Sequence, residues 1–576
     1  MDRPFTYRLD AELDAGVGSL VQVPFHGRAV RGWVLGPTDD LPPRMLPVRK
    51  VVSTVRYFDP LLLRTLRWTA ERYVAPLAAV IARSHPPRVA SEESAFEPAE
   101  ERRRSAAASR KGGTSVLDGY RGGDRLLETV ARRSGAFLLR PAPEDEIAIV
   151  IELVRACVAG GRRAVVVVPE ARPVPATANQ ILQLSEIRTV AMLGGDRRTR
   201  YRAWLDARDA DVVVGTRPTV LAPMRPLGLI VVCREGHPGH REDRSPYHNA
   251  REVAFVRAAN EGAACVLTAI SASVEAAGSG VEVVEPASRR WPPVQVVKPP
   301  PVGHPSQLVR AMERTRRGFV LSLVPGAGVA EICRSCGAPA ACARCGGWIR
   351  LTEGELVCAV CQAPGTCAMC GSQDLAVRPG GRERLEDWIS RTAKVKVRRG
   401  TPSREGEGCW VGGAEAVRDT GSLGLDTVAI LDVSLAEGRT GIGGRERILT
   451  TMMETVAWAR PDGSAIVQAA RAADPFVQAL VRGNPRTFIE EERRRRSEAG
   501  FPAGSAIFRV TGDGSLAERL AKVEPTTILE TVRDGSTVCL LALDRERVGE
   551  FGALARSLAA EGIITRVQAD PHLEER

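Results

Sequence analysis

Eight of the thirteen cysteines in this chain fall into four Cys-x-x-Cys pairs within 38 residues: Cys333/Cys336, Cys342/Cys345, Cys358/Cys361 and Cys367/Cys370. Two intervening residues let both thiolates of one tight turn, a zinc knuckle, reach a single ion, and two knuckles complete a tetrahedral all-sulfur shell. Four knuckles therefore predict two zinc ions per chain. Such shells leave no open coordination position, so the expected role is structural, adding about 10 kcal/mol or more to a segment too poor in apolar residues to form its own core. Gly337, Gly346 and Gly371 directly follow the second cysteine of their pairs, where the backbone must turn sharply; Gln362 takes that place in the third pair. A disulfide framework belongs to small secreted domains, and a redox Cys-x-x-Cys normally occurs once; four pairs in a long, otherwise ordinary chain read as metal ligands.

The elements that must hold this module come from hydrophobic patterning. The chain has 576 residues, 44% of them hydrophobic, enough for several domains. Residues 1–90 carry strand-like runs (Ser19-Leu-Val-Gln-Val-Pro-Phe, Arg28-Ala-Val-Arg-Gly-Trp-Val-Leu) and one amphipathic helix near 60–73, predicting a small β-rich domain. Residues 91–117, rich in Ser, Ala, Glu and Arg, predict a flexible linker. Apolar strands alternating with helices over 118–290 indicate a parallel sheet covered on both faces, and a second such series occupies 291–332 and 372–500. The cysteine module, 333–371, thus interrupts a second α/β domain. Residues 501–576 predict a small α+β domain.

The net charge is +11 with an isoelectric point near 9.2, which favours polyanionic partners. Residues 1–90 hold thirteen Lys/Arg against eight Asp/Glu, so nearly half of the excess lies in under a sixth of the chain. Nucleic acid and a merely solvated basic surface both account for it. No run of about twenty apolar residues and no apolar leader after Met1 is present, so neither membrane insertion nor export is expected, and a reducing cytoplasm suits the thiolates. Glu490-Glu-Glu-Arg-Arg-Arg-Arg reads as a solvated helix face, and His237, His240 and His248 as surface or capping residues.

Several stretches resemble one family in particular. Asp211-Val-Val-Val-Gly-Thr-Arg-Pro-Thr-Val-Leu-Ala-Pro-Met, Leu227-Gly-Leu-Ile-Val-Val, Tyr247-His-Asn-Ala-Arg-Glu-Val-Ala, Arg3-Pro-Phe-Thr-Tyr-Arg-Leu, Val23-Pro-Phe-His-Gly-Arg, Val567-Gln-Ala-Asp-Pro and the whole cysteine array are similar to segments of primosomal protein N-prime, the PriA family of replication-restart helicases. The resemblance covers almost the whole chain, although the family's winged-helix domain has no room here beyond the linker. It implies two RecA-like helicase-type lobes with the zinc insertion in the second, behind a DNA-binding domain. It also implies that Cys333, Cys336, Cys367 and Cys370 share one zinc while Cys342, Cys345, Cys358 and Cys361 share the other. Phe5 and Gly27 match positions lining the family's pocket for a DNA 3′ end, with Thr6 in place of an acid and Leu46 in place of a lysine; Phe5 as core filler is the alternative. Arg28 and Arg31 are the expected phosphate contacts beside that pocket.

The family's ATPase stations are changed. Its phosphate loop, Gly-x-Gly-Lys-Thr, needs amides, a lysine and a magnesium-binding hydroxyl; the corresponding turn here is Leu138-Leu-Arg-Pro-Ala-Pro-Glu-Asp-Glu-Ile. Cys233-Arg-Glu-Gly-His stands where the family has Asp-Glu-Glu-His, and Thr455-Val-Ala-Trp-Ala-Arg-Pro replaces its arginine motif, leaving Arg460 out of register. The expectation is therefore a restart protein, cytoplasmic and nucleoid-associated, that binds branched or forked DNA and single-stranded DNA and engages primosome and helicase-loading proteins without helicase activity or catalytic residues. An active ATP-dependent 3′-5′ helicase and a zinc-ribbon adaptor for protein partners are the alternatives.

Overall fold

The computed structural model describes residues 4–96, 114–288, 290–300, 304–323, 329–338, 340–344, 347–359, 362–377, 382–431, 433, 443–533 and 535–571. The chain opens on a hairpin of Leu20–Phe25 and Arg28–Trp33, whose first strand also pairs with Lys50–Val51. The helix Pro60–Arg72 follows. Asp59 caps it, its carboxylate accepting from the amides of Leu61 and Leu62 at 2.9 Å, and Pro60 supplies a preset first turn. Leu62, Leu63 and Leu66 recur at helical spacing and face inward against the helix Ala250–Glu261 of the first lobe.

That lobe is an eight-stranded sheet among the described residues. Its order is Tyr120–Arg121, Glu282–Pro286, Gly135–Leu139, Ala264–Thr268, Leu227–Val232, Arg163–Val167, Val212–Gly215 and Thr189–Met192. All pairings are parallel except that of the two-residue edge strand. The second lobe is, among the described residues, a six-stranded parallel sheet, ordered Val294–Val297, Ala459–Gln468, Leu425–Leu431, Arg317–Ser322, Gly408–Gly412 and Val397–Arg399. Residues such as Val165, Val213, Ile230 and Val428 are fully buried, as strands covered on both faces require. One apolar core joins the front domain to one face of each lobe, and separate cores fill the opposite faces.

The cysteine module leaves the second lobe after Arg317–Ser322 and consists of two small antiparallel pairs. Ala330–Cys333 lies against Leu375–Val377, and Ile349–Thr352 against Glu355–Cys358. The last domain is a four-stranded antiparallel sheet carrying the helix Val548–Ala560, which packs beside Pro60–Arg72. Both Asp570 oxygens accept from Arg72 Nη2 at 3.1 Å across 498 residues, joining the first domain to the last. Among the described residues no helix is long and apolar enough to cross a membrane.

Two local expectations need correcting. The stretch expected to be a linker from residue 91 begins as a helix, Ala90–Ser94, with Glu92 and Glu93 buried against the first lobe. Arg198 pairs with Glu92, while Arg88 and the Tyr201 hydroxyl, at 2.6 and 2.9 Å, bind Glu93. Ion pairing has overridden a composition that reads as unstructured; residues 97–113 lie outside the described set. His240 and His248 are buried rather than superficial, and burial pulls them down to about 3 and about 4. His237 does cap a short turn, accepting from the Gly239 amide at 3.0 Å.

Candidate metal centre, DNA-binding face and interlobe cleft

Every cysteine pair of the module opens with the same backbone hydrogen bond. The amide of the first cysteine donates to the carbonyl five residues on: Cys333 to Ala338, Cys342 to Gly347, Cys358 to Ala363 and Cys367 to Ser372, at 2.8 to 3.0 Å. Four identical turns of this kind are what a knuckle requires. In the three whose following residue is described, the residue after the second cysteine donates back to the first cysteine's carbonyl in a left-handed conformation. Gly337 and Gly371 adopt it without cost, and Gln362 adopts it at φ 56° despite its side chain. The left-handed turn, rather than the glycine, is the common feature.

The four sulfurs of Cys333, Cys336, Cys367 and Cys370 all lie within 4.8 Å of one another. Cys333 is 3.6 Å from Cys370 and Cys336 is 3.7 Å from Cys367. Zn–S bonds of about 2.3 Å set tetrahedral sulfur–sulfur edges of roughly 3.8 Å, whereas a disulfide needs about 2.05 Å. The residues present therefore fit a zinc ion. Burial opposes ionisation of Cys333, but the amides of Cys336 and Ser335 and the neighbouring thiols bring it down to about 6. At Cys370 the Ser372 amide favours the thiolate, yet the crowding of Cys336 and Cys333 pushes it up to about 12. Four thiols this close ionise together only around a cation. Cys342 and Cys358 are buried in the same small core, and Cys342 bridges to Cys367 across the module. Their expected co-ligands Cys345 and Cys361 lie outside the described residues.

In the front domain, Gly27 sits at φ 76° in the hairpin turn with open space where a side chain would be. Phe5 meets Phe25 edge-on at 5.0 Å between ring centres, and Phe25 meets His26 at 4.4 Å. Phe5 remains 42% exposed, which argues against core filler. The Arg8 amide donates to the Leu46 carbonyl at 3.0 Å, so Leu46 is held beside the Phe5 segment. Arg28 and Arg31 are exposed on the second hairpin strand, opposite Phe25 and Gln22. Three residues apart on a strand, they point to opposite faces, so one DNA backbone does not lie flat across both.

Along the boundary between the lobes, the chain's own charged groups pair with one another. After the strand Gly135–Leu139 the Ala142 amide donates to the Tyr120 hydroxyl, and that hydroxyl donates to Asp145, both at 2.9 Å. Arg290 binds Asp145 and Glu144 at 2.9 and 3.2 Å, and Arg140 binds Glu285 at 3.1 Å. Glu146 opens the following helix half-buried. It accepts from the Thr268 hydroxyl at 2.6 Å, and burial, with the Asp419 carboxylate nearby, pushes it up to about 7. Glu235 is saturated by the Ser273 amide (2.6 Å), the Ser273 hydroxyl (2.9 Å) and Arg251 (2.8 Å).

Further pairs cross from lobe to lobe. Arg234, left-handed at φ 51°, reaches Glu454 with both ends of its guanidinium, the Nε contact measuring 2.7 Å. Arg418 donates to the Arg172 carbonyl at 2.8 Å, and the Ala176 amide donates to the Asp419 carbonyl at 3.1 Å. Arg496 binds Glu275 of the first lobe at 2.8 Å as well as Glu446 and Glu492 of the second. The helix Arg486–Glu498, expected as a solvated face, thus buries one edge, and only pairs such as Arg494–Glu498 remain outside. Arg460 binds Asp426 and Asp462 within its own lobe.

Sheet order, lobe arrangement and the cysteine insertion define an α/β chain with two parallel-sheet lobes behind a small β-rich domain. A family model for the 3′ DNA-binding domain of PriA matches residues 1–86. The probable replication restart protein PriA of Mycobacterium leprae is 28% identical over 568 residues, covering 89% of this chain and 86% of that protein. The replication restart protein PriA of Treponema pallidum is 25% identical over 383 residues, 60% and 56% of the two chains. Residues 1–86 thus match the family of the PriA 3′ DNA-binding domain, and over most of its length the chain is similar to proteins named replication restart protein PriA. Among solved structures, S. cerevisiae Dbp5 bound to RNA and ADP BeF3 covers 65% of this chain and 92% of its own, at 10% identity and a TM-score of 0.35.

Proposed function

We propose that this protein acts in replication restart as a non-motor platform: it binds branched or forked DNA and the adjoining single strand, and presents that DNA to primosome and helicase-loading proteins. One observation carries the non-motor part. The turn after Gly135–Leu139 offers incoming phosphates two prolines without amides, an Ala142 amide already bonded and the carboxylates of Glu144, Asp145 and Glu146. Each acid there is held by a partner from this chain, and the carboxylates of Glu144 and Asp145 offer a triphosphate's oxygens acceptors in place of donors.

DNA binding draws its support from the front domain and its match to a 3′ DNA-binding domain. In this reading Arg28 and Arg31 contact phosphates, while Phe5, with Phe25 and Gly27, forms an aromatic ledge against which a terminal base stacks. Cys333, Cys336, Cys367 and Cys370 would hold one zinc, and Cys342, Cys345, Cys358 and Cys361 the second. Zinc supplies cross-linking of the module there, with no part in a reaction. The proposed setting is the cytoplasm, at the nucleoid.

The test measures ATP hydrolysis and fork binding side by side on one zinc-replete preparation. Salt-sensitive fork binding with no DNA-stimulated hydrolysis is the expected result. Turnover abolished by a substitution in this chain would establish the motor reading instead. Fork preference surviving deletion of residues 1–86 would favour the zinc-ribbon adaptor.

A further inference from the structure

The second lobe carries a concentration of charge that none of the sites above uses. Residues 391–399 hold five cations, Arg391, Lys394, Lys396, Arg398 and Arg399, and no acid, and they include two of the chain's six lysines. All five are exposed. Arg391 lies in the last turn of the helix Arg382–Thr392, and Arg398 and Arg399 lie on Val397–Arg399, the edge strand of the six-stranded sheet.

Two features set the direction of these side chains. Val395 and Val397 turn inward against the core that contains Leu385, Ile389 and Val411. Alternation then places Lys396 and Arg398 together on the other face, about 6.6 Å apart along the extended backbone. Arg398 is also seated: its Nη1 donates to the Glu407 carbonyl at 2.9 Å, its guanidinium lies 5.2 Å over the Trp410 ring, and Gly408 leaves the space it occupies. A carbonyl and an aromatic face orient a guanidinium without cancelling its charge.

The neighbouring carboxylates are engaged with other cations or left in solvent. Arg399 takes Glu386 at 2.5 Å, and Arg316 takes Glu407. Arg391 donates to the Asp387 carbonyl at 3.1 Å rather than to its exposed carboxylate. Among the described residues Arg391, Lys394, Lys396 and Arg398 make no ion pair. The helix dipole accounts for Arg391, and lysine on an edge strand discourages pairing, but neither requires four cations without counter-charge in one place. The patch begins where the parallel strands begin, whereas small ligands of open α/β sheets bind beyond the strands' carboxyl ends. No large apolar side chain of 385–412 is exposed, so the surface offers charge without the aromatic or aliphatic anchors of a protein interface.

We propose that this edge of the second lobe binds the phosphate backbone of a nucleic acid and, resting on the restart reading above, that it takes a strand of the forked DNA. The separation of Lys396 and Arg398 is about twice the 3.4 Å rise per phosphate along one duplex strand. Contacts of this kind fix position without reading bases. The surface lies outside the domain of Arg28 and Arg31, so forked DNA is held at two separate places on the chain.

The experiment uses the full-length, zinc-replete chain and the double variant Lys394→Gln/Lys396→Gln, since both side chains are exposed and neither donates a hydrogen bond to the described residues. Fork binding is followed by fluorescence anisotropy between about 50 and 200 mM salt, with single-stranded oligothymidylate and an oligoglutamate peptide measured alongside. The log-log salt slope should fall by about two, one per contact removed, so that the affinity lost across that range shrinks about twelve-fold. Lys394→Arg/Lys396→Arg keeps the charge and should keep the slope; a slope lost there too traces to packing and overturns the phosphate role. An unchanged slope in the glutamine variant, on a wild type that binds forks, leaves the restart reading standing and overturns this surface. If the glutamine variant abolishes only oligoglutamate binding, the surface belongs to an acidic protein and the DNA assignment is overturned. A wild type that binds oligothymidylate but no fork ends the fork reading, and the slope on oligothymidylate then decides the surface in the same way. A wild type that binds neither overturns both.

Discussion

Replacing Glu146 by glutamine should remove a pH-dependent weakness from the first lobe. Half-buried at the start of the helix Glu146–Ala159, the carboxyl accepts one hydrogen bond from Thr268 and is raised by desolvation from 4.5 to about 7. A folded-state value above the unfolded one favours the protonated acid in the fold. Its contribution is therefore complete below about pH 4.5 and is lost as pH rises through 7. At 1.36 kcal/mol per unit, the difference amounts to about 3 kcal/mol between pH 4.5 and pH 8.5. Glutamine keeps the shape and the acceptor for Thr268 but cannot ionise. Hydrogen exchange of peptides across Glu146–Ala159, corrected for intrinsic rates, reports the local opening free energy at each pH. The wild type should open more readily by up to that amount at pH 8.5, and Glu146→Gln should not. A glutamine variant retaining the wild-type pH dependence would refute the assignment, as would a wild type indifferent to pH.

Two further outcomes can be checked directly. Metal analysis of reduced, freshly purified protein should find about two zinc ions per chain, with Cys333→Ser and Cys358→Ser each removing roughly one and loosening the module to proteolysis; one ion or none in the wild type sinks the scheme. Arg234→Ala should cost the lobe-to-lobe contact about 3 to 5 kcal/mol by leaving Glu454 enclosed and unpaired, while Arg234→Ala/Glu454→Ala recovers much of it; denaturation of the two variants that differs by under about 1 kcal/mol would contradict a buried pair.

Features legible in the sequence are those specified over short separations. Cys-x-x-Cys spacing encodes a knuckle within five residues, and the observed amide-to-carbonyl pattern repeats at all four. Runs such as Val165 to Val168 and Leu227–Val232 announce doubly covered strands because burial on both faces leaves no polar alternation to read. Ionic contacts between distant segments are not encoded that way. Arg234 and Glu454 are 220 residues apart, and nothing local marks either as the other's partner. Glu92 and Glu93 look like solvated acids until Arg198 and Tyr201 arrive from a helix a hundred residues later.

The clasp between Arg72 and Asp570 sets an order of events during synthesis. Arg72 is 6% exposed, its Nε and Nη1 find no partner among the described atoms, and the carboxylate that pairs with it is made 498 residues later. At about 5 to 20 residues per second, roughly 25 to 100 seconds separate the two on the ribosome. Through that interval the helix Pro60–Arg72 must leave its last arginine in water or burying it costs several kcal/mol. Docking of the front domain against the final sheet is thus withheld until translation reaches the last strand, and a nascent chain stopped short of Asp570 would carry an unseated helix that proteolytic surveillance can recognise.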